Sequence, residues 1–331
     1  MKRILLSLLI TAVILFVLLS QIALKDLYAL LKSIDPFWAV WGSVGYSLAI
    51  LFRALRFKWL IHSKDISLSE LFRITAYYHL SLMVLPSKLG ELSYPFFLNK
   101  IAGMNMTEGL ASLIASRVYD FFIILMIFLF TLIGFQSFFK NNLCLILLLV
   151  CLLIGLIFLA FFYMSSFFRW LSNVLGKVSK GTTSRYAKSF LWVQRKMNEM
   201  AEDFYAIKAR KSYLSVSLAS LVSWGMIFWT FYAFLRGFGI EISFLKMFFG
   251  STVGVIANAL PVSGIGNWGT LEAGWTAGFL MVGLSKEKAI ATGFGVHIAI
   301  FIACLLISFI CWTTSKKQRS PSPPAQAIEG R

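Results

Sequence analysis

The residues of this chain best suited to binding or proton chemistry lie in apolar surroundings. Leu260 to Trp275 reads LPVSGIGNWGTLEAGW and holds Gly264, Gly266, Asn267, Gly269, Thr270 and Glu272. Gly264, Gly266 and Gly269 make a formal GxGxxG. A dinucleotide loop of that spacing needs a preceding strand, a βαβ unit and an acidic residue about twenty positions on. The pattern around it offers none of these. Two readings remain. In one, the glycines form a surface on which helix backbones approach closely. In the other, Pro261 breaks a helix that restarts near Thr270, with Thr270 or Asn267 as its cap. The first N–H groups of such a helix attract an anion, and a lipid phosphate is the anion at hand. Glu272 falls in the first turn, and a carboxylate buried there is a functional candidate by default.

A second broken stretch, LPSKLGELSYPFFLNK, runs from Leu85 to Lys100. Its Lys88 and Glu91 are three apart and share a face on a helix, unless the piece is a loop with ordinary surface charges. Arg53 and Arg56, in LFRALRFKW, are either positive-inside anchors at the inner end of their helix or a clamp for a headgroup. Arg117 and Asp120, in ASRVYDFF, are an intrahelical pair or charges on a transport path. His79 and His297 each sit in an apolar helix, as packing residues or as proton relays.

The elements that position these residues follow from composition. Of the 331 residues, 59% are hydrophobic and 14% charged, and mean hydropathy is +0.79. That points to an all-α integral membrane protein. Apolar runs over 4–24, 37–60, 67–85, 107–135, 142–165, 213–236, 242–259 and 286–312 give about eight transmembrane helices. Segments 86–104 and 261–284 are broken or re-entrant. The expected divisions are an uncleaved N-terminal anchor and linker (1–36), a first membrane repeat (37–165), a basic cytoplasmic linker (166–212), a second membrane repeat (213–312) and a disordered tail (313–331). The tail ends in IEGR, which matches a protease-cleavage linker. Within the linker, Tyr186, Phe190, Val193, Met197, Met200, Phe204 and Ile207 recur at helical spacing, as on an amphipathic helix lying apolar side down on a membrane.

The two membrane repeats are expected to be inverted. The run from Trp38 aligns with the run from Tyr213, ISLSELFR with ISFLKMFF, and each half then reaches a Leu-Pro pair followed by glycine and glutamate. With the basic stretches placed in the cytoplasm, 86–104 must cross the membrane, and the halves then run in opposite directions; if 86–104 is instead a re-entrant hairpin, the repeats are parallel.

The net charge of +17 admits nucleic acid as a partner. The basic residues fall between apolar runs, however, which favours cytoplasmic loops and anionic headgroups. Cys144, Cys151, Cys304 and Cys311 lie in apolar helices without metal spacing. There is no P-loop, zinc-protease or nucleophile-elbow motif. Neither enzyme, cofactor nor ATP-driven pump is expected from these residues.

With these motifs in hand, the sequence resembles the lysylphosphatidylglycerol synthase transmembrane-region family, also called flippase-like. RALRFKWL, LPSKLGE, ASRVYDF and LPVSGIGNWGTLE followed by GLSKEKAIA carry the resemblance, from about Phe37 to Trp312. Lys88 stands where that family usually has arginine, Tyr94 where it often has another, and Ser263-Gly264 where it shows a proline-glycine turn. The resemblance implies a lipid flippase or scramblase of a bacterial or archaeal cell membrane. Its cargo would be a phospholipid or a polyprenyl-phosphate-linked lipid. Arg53, Arg56, Lys88, Glu91, Arg117, Asp120, Gly264, Gly266, Asn267, Thr270 and Glu272 would form the headgroup path, and the glutamates would hold cationic atoms or take up protons. No soluble aminoacyl-transfer domain follows the last helix, so no aminoacyl-lipid synthesis is expected. The alternative is a non-transporting scaffold for a separately encoded glycosyltransferase or lipid-modifying enzyme.

Overall fold

The computed structural model describes residues 12–22, 24–63, 65–135, 142–180, 187–259 and 266–317. Among them the regular elements are all helices. Residues 12–19 are helical, written α1. There follow α2 (Leu24–Lys32), α3 (Pro36–Leu60), α4 (Leu68–Val84), a 3₁₀ turn η1 (Ser87–Leu92), α5 (Ser93–Ala102) and α6 (Met106–Gly134). The second half holds α7 (Leu143–Lys180), α8 (Ala187–Ala209), α9 (Tyr213–Gly237), α10 (Phe244–Ala259), α11 (Thr270–Met281) and α12 (Lys286–Lys317). Five of these, α3, α6, α7, α9 and α12, are long and apolar enough to cross a membrane.

The axis of the fold is the antiparallel pair α3 and α9. Asp35 starts α3, its Oδ1 accepting from the Phe37 N–H at 2.8 Å with Pro36 in the first turn. Its own N–H donates to Gly237 O at the far end of α9. Further along, Thr230 Oγ1 donates to Gly42 O, and Ser223 Oγ to Ala49 O, each at 3.3 Å. A Cβ on Gly45 would lie 2.7 Å from the Trp229 ring. Small residues thus bring the two backbones together where apolar burial gives helices no preference for each other over lipid.

Two helical hairpins enter from opposite ends of this pair. The runs 67–85 and 242–259 read as spans in the sequence. The corresponding helices α4 and α10 have 17 and 16 residues, about 25 Å each, short of a hydrocarbon core of about 30 Å. Each instead forms one arm of a hairpin. Ser67 caps α4, accepting from Glu70 N–H. The chain turns through η1, where a Cβ on Gly90 would press 2.8 Å from Leu82 Cα. It returns as α5, whose Tyr94 packs against Tyr78 of α4. Gly103 ends α5 in the left-handed region at φ 69. This brings Met104 and Glu108 back beside His62 and Ser63, at the level where α4 began. In the second hairpin, Gly250 and Gly254 of α10 face Gly274 and Gly278 of α11. A Cβ on Gly278 would lie 2.3 Å from Gly250 O. The close-packing reading of the glycines therefore holds for Gly274 and Gly278, beyond the GxGxxG.

The hairpin tips meet. Gly266 N–H donates to Leu85 O at 3.2 Å. Outside this centre, α1 covers Trp268 and α12 through Ile14, Leu15 and Leu18.

The basic linker folds differently from expectation. Its amphipathic helix is α8, but Met200, Phe204 and Ile207 are buried against α7 and α6 rather than laid on a membrane. Phe204 stacks on Phe168 at 5.6 Å. Helix α7 runs on into the linker as far as Lys180, so protein, not lipid, is available to cover that face. Tyr186 lies outside the described residues. Helix α12 likewise extends to Lys317, five residues past the expected boundary, and the rest of the tail lies outside them too.

A polar latch holds α8 to the hairpin base. His62 Nε2 lies 3.0 Å from Asp203 Oδ1 of α8 and 3.7 Å from Glu108 Oε1 of α6. The hydrogen bond to Asp203 pushes the His62 pKa above its ordinary 6.5, against the opposing effect of burial, and Glu108 adds to the rise. A raised imidazole stabilises the fold fully below the unfolded value and loses that contribution as pH climbs through the folded one. Limited proteolysis at α8 should therefore speed up as pH rises from about 6 to 9. His62→Gln should flatten that profile, and an unchanged profile in the variant would remove the latch.

Candidate functional site

Between the hairpin tips and helices α3, α6, α9 and α12 lies a cavity of about 490 Å³. Its polar lining comes from Tyr46 and Arg53 of α3, His79 of α4, Glu91 of η1, Arg117 and Asp120 of α6, Asn258 of α10, Asn267 at the second tip and His297 of α12. Leu92 and Phe121 also line it and are 54% and 39% exposed. The cavity therefore opens sideways between η1 and α6, through apolar residues suited to acyl chains.

Two ion pairs set its electrostatics. Arg56 Nη1 donates to Asp120 Oδ1 at 2.6 Å, and its other donors reach Ser116 Oγ at 2.9 Å and Ser220 Oγ at 3.1 Å. Asp120 also accepts from Trp224 Nε1 at 2.9 Å and from Arg117 at 3.3 Å. Arg56 is 2% exposed and does not line the cavity. It is a buried structural cation, neither an interfacial anchor nor a headgroup clamp. At the cavity mouth Arg117 pairs with Glu91 at 2.8 Å. Tyr78 Oη donates to Glu91 Oε2 at 2.7 Å and accepts from Arg117.

Arg53 is left over. It is 9% exposed, forms no ion pair with a carboxylate among the described residues, and its Nε finds no acceptor. Its Nη1 donates to His79 Nε2 at 3.0 Å, and its guanidinium lies 5.6 Å from the Trp224 ring centre. A buried guanidinium without a counter-charge is costly. Of the three described guanidiniums here, Arg56 and Arg117 are in ion pairs with Asp120 and Glu91, and Arg53 is in none.

The second broken segment is organised around Glu272. Gly266, Asn267 and Gly269 have φ of 57, 63 and 92, a left-handed turn that leads into α11. Neither Thr270 nor Asn267 caps the helix. Gly269 holds the cap position, and Glu272 Oε2 reaches back to accept its N–H at 2.7 Å. Thr270 Oγ1 donates to Asn267 O and does not line the cavity. Glu272 Oε1 sits 2.6 Å from His297 Nδ1. The chain's own carboxylate thus occupies the helix start where a lipid phosphate was expected. Glu272 is fully buried behind the cavity wall rather than on it.

Arg53, Glu91, Arg117, Asp120, Gly266 and Asn267 therefore meet at one cavity. Arg56, Thr270 and Glu272 support it from outside. Gly264 lies outside the described residues, as does the side chain of Lys88. Tyr94, where the family often has arginine, stacks on Phe57 at 4.0 Å and adds no charge. Tyr78, Trp224 and Ser220 belong to the polar network but were not singled out from the sequence. For Ser220 and Trp224 the signal was a stripe, Ser220, Ser223 and Trp224, on one side of α9; Tyr78, on α4, had no such signal.

No curated protein and no solved structure matches the chain. The model of one family, described as the lysylphosphatidylglycerol synthase TM region, matches residues 4–308. This multi-pass membrane protein accordingly belongs to the lysylphosphatidylglycerol synthase transmembrane-region family.

Proposed function

We propose that the protein is a lipid flippase or scramblase of the cell membrane and carries out no covalent chemistry. The observation behind this reading is the sideways-opening cavity with one buried guanidinium, Arg53, that is in no ion pair among the described residues. The cargo is a lipid with a phosphate-bearing headgroup. Its phosphate enters between η1 and α6, passes the Arg117–Glu91 pair at the mouth and binds Arg53. The acyl chains stay among Leu92, Phe121 and the surrounding bilayer, so only the polar part leaves water and the main cost of crossing is avoided.

Alternating access follows if the halves form an inverted repeat. Supporting this, contacts are exchanged between the halves. Helix α3 runs antiparallel to its counterpart α9. Helix α4 packs on α12 through Ser308 and Ala76, and α10 packs on α6 through Phe249 and Phe128. Rocking one hairpin against the other would open the cavity to alternate leaflets.

The test is translocation of fluorescent lipid in proteoliposomes, with phosphatidylglycerol, its aminoacylated form and a polyprenyl phosphate compared. Arg53→Gln should slow transport about 10-fold or more, since a hydrogen bond to a charged group contributes about 1.5–3 kcal/mol. A folded wild type that moves no lipid overturns the reading. So does an Arg53→Gln variant that works at the wild-type rate.

A further inference from the structure

The headgroup path leaves the buried Glu272–His297 pair without a task. Glu272 is 0% and His297 3% exposed. Both oxygens of Glu272 are held, one by His297 Nδ1 at 2.6 Å and one by the Gly269 N–H at 2.7 Å. Among the described residues no lysine or arginine pairs with Glu272. With a neutral imidazole the pair carries one negative charge in a membrane interior. With an imidazolium it carries none. A proton on His297 therefore decides the charge of this side of the cavity.

The ring is placed to exchange that proton. His297 lines the cavity that holds Arg53. Its Nδ1 faces Glu272, which leaves Nε2 as the position to gain or lose a proton. Trp268 stacks on the ring at 4.0 Å with planes 14° apart and fixes its orientation. The pair is also tied to the moving parts. Gly269 is the cap of α11, and Gly266, three residues earlier, bonds to Leu85 of the other hairpin tip.

We infer that His297 and Glu272 form a proton-binding site linked to the anion site, so that a phosphate-bearing lipid and a proton occupy the cavity together. This rests on the flippase reading above. The proton adds to His297 Nε2 from the cavity. The His297 Nδ1–H goes on donating to Glu272 Oε1, and no other bond changes. An imidazolium on the wall favours the phosphate at Arg53, and by reciprocity the bound phosphate favours the imidazolium by the same factor, about 5–150-fold for typical coupling.

The other charged and titratable groups lining this space are Tyr46 and Arg53 of α3, His79 of α4, Glu91 of η1, and Arg117 and Asp120 of α6. Arg117, Glu91 and Asp120 of η1 and α6 are paired. His79 of α4 accepts from Arg53 and needs a lone pair to do so. Helices α9 and α10 contribute the neutral Trp224 and Asn258, while α1 and α2 present Ile14, Leu18 and Leu27 to α12.

The experiment is proton uptake on lipid binding, read with a pH-sensitive dye in weakly buffered detergent. It is followed by translocation in proteoliposomes under an imposed pH gradient. Short-chain phosphatidylglycerol should draw a fraction of a proton onto the wild type for each lipid bound. His297→Gln should bind the lipid without uptake. In liposomes a pH gradient should speed wild-type translocation at least 5-fold and leave His297→Gln unchanged. Binding by the wild type without proton uptake would overturn the inference even if translocation proceeds. Uptake without translocation would sink the flippase reading and leave the linked sites standing. The wild-type uptake measurement decides the question if the variant fails to fold.

Discussion

Gly266→Ala is expected to stop lipid movement while leaving the protein in the membrane. A Cβ at Gly266 would lie 2.0 Å from Met83 O and 2.7 Å from its carbonyl carbon. Both are backbone atoms, so no side chain can swing away. The residue also needs φ 57, which costs a non-glycine residue about 1–2 kcal/mol. Overpacking typically adds about 1–3 kcal/mol. The strain falls on a backbone bond that joins the two hairpin tips, Gly266 N–H to Leu85 O. Translocation should fall about 10-fold or more, because the tips must part or shear to admit alanine. Gly103→Ala supplies the control. Gly103 has φ 69, but its Cβ would meet nothing within 4 Å. It should show only a modest loss of thermal stability and transport close to wild type. Equal behaviour of the two variants in the liposome assay would show that contact between the tips does not govern transport.

The second large effect concerns stability. Asp120→Ala should lower unfolding free energy by about 3–5 kcal/mol, the usual cost of removing one partner of a buried ion pair. Asp120 accepts from Arg56, Arg117 and Trp224, and its removal leaves Arg56 buried with only Ser116 and Ser220 as acceptors. The double variant Arg56→Met with Asp120→Leu should recover most of the loss, since apolar replacement of a whole buried pair is often neutral. Thermal unfolding in detergent measures both. A double variant as unstable as Asp120→Ala would mean that the pair is needed for more than mutual neutralisation. The contrast with Arg53→Gln separates the two arginines. One should show in stability, the other in transport, although they stand three residues apart on one helix.

That contrast also marks how far local sequence reaches. Hydropathy, helix breakers and charge are properties of neighbouring residues, and they suffice for the all-α membrane class. They also locate the two punctuated segments and nominate Arg53, Glu91, Arg117, Gly266 and Asn267, which do meet at the cavity. Pairing between helices is not local. Arg56 and Asp120 are 64 positions apart, Arg117 and Glu91 26, and Glu272 and His297 25. Which cation is paired and which is left without an ion pair depends on where helices cross. Nothing in RALRFKWL separates Arg53 from Arg56. The same holds for the surfaces. An amphipathic stripe states that α8 hides one face, but the continuation of α7 decides that protein hides it. A stretch of 16 or 17 apolar residues is compatible with a tilted span or a hairpin arm. Only the return of α5 and α11, held by Tyr94 on Tyr78 and by Gly278 on Gly250, makes them hairpins.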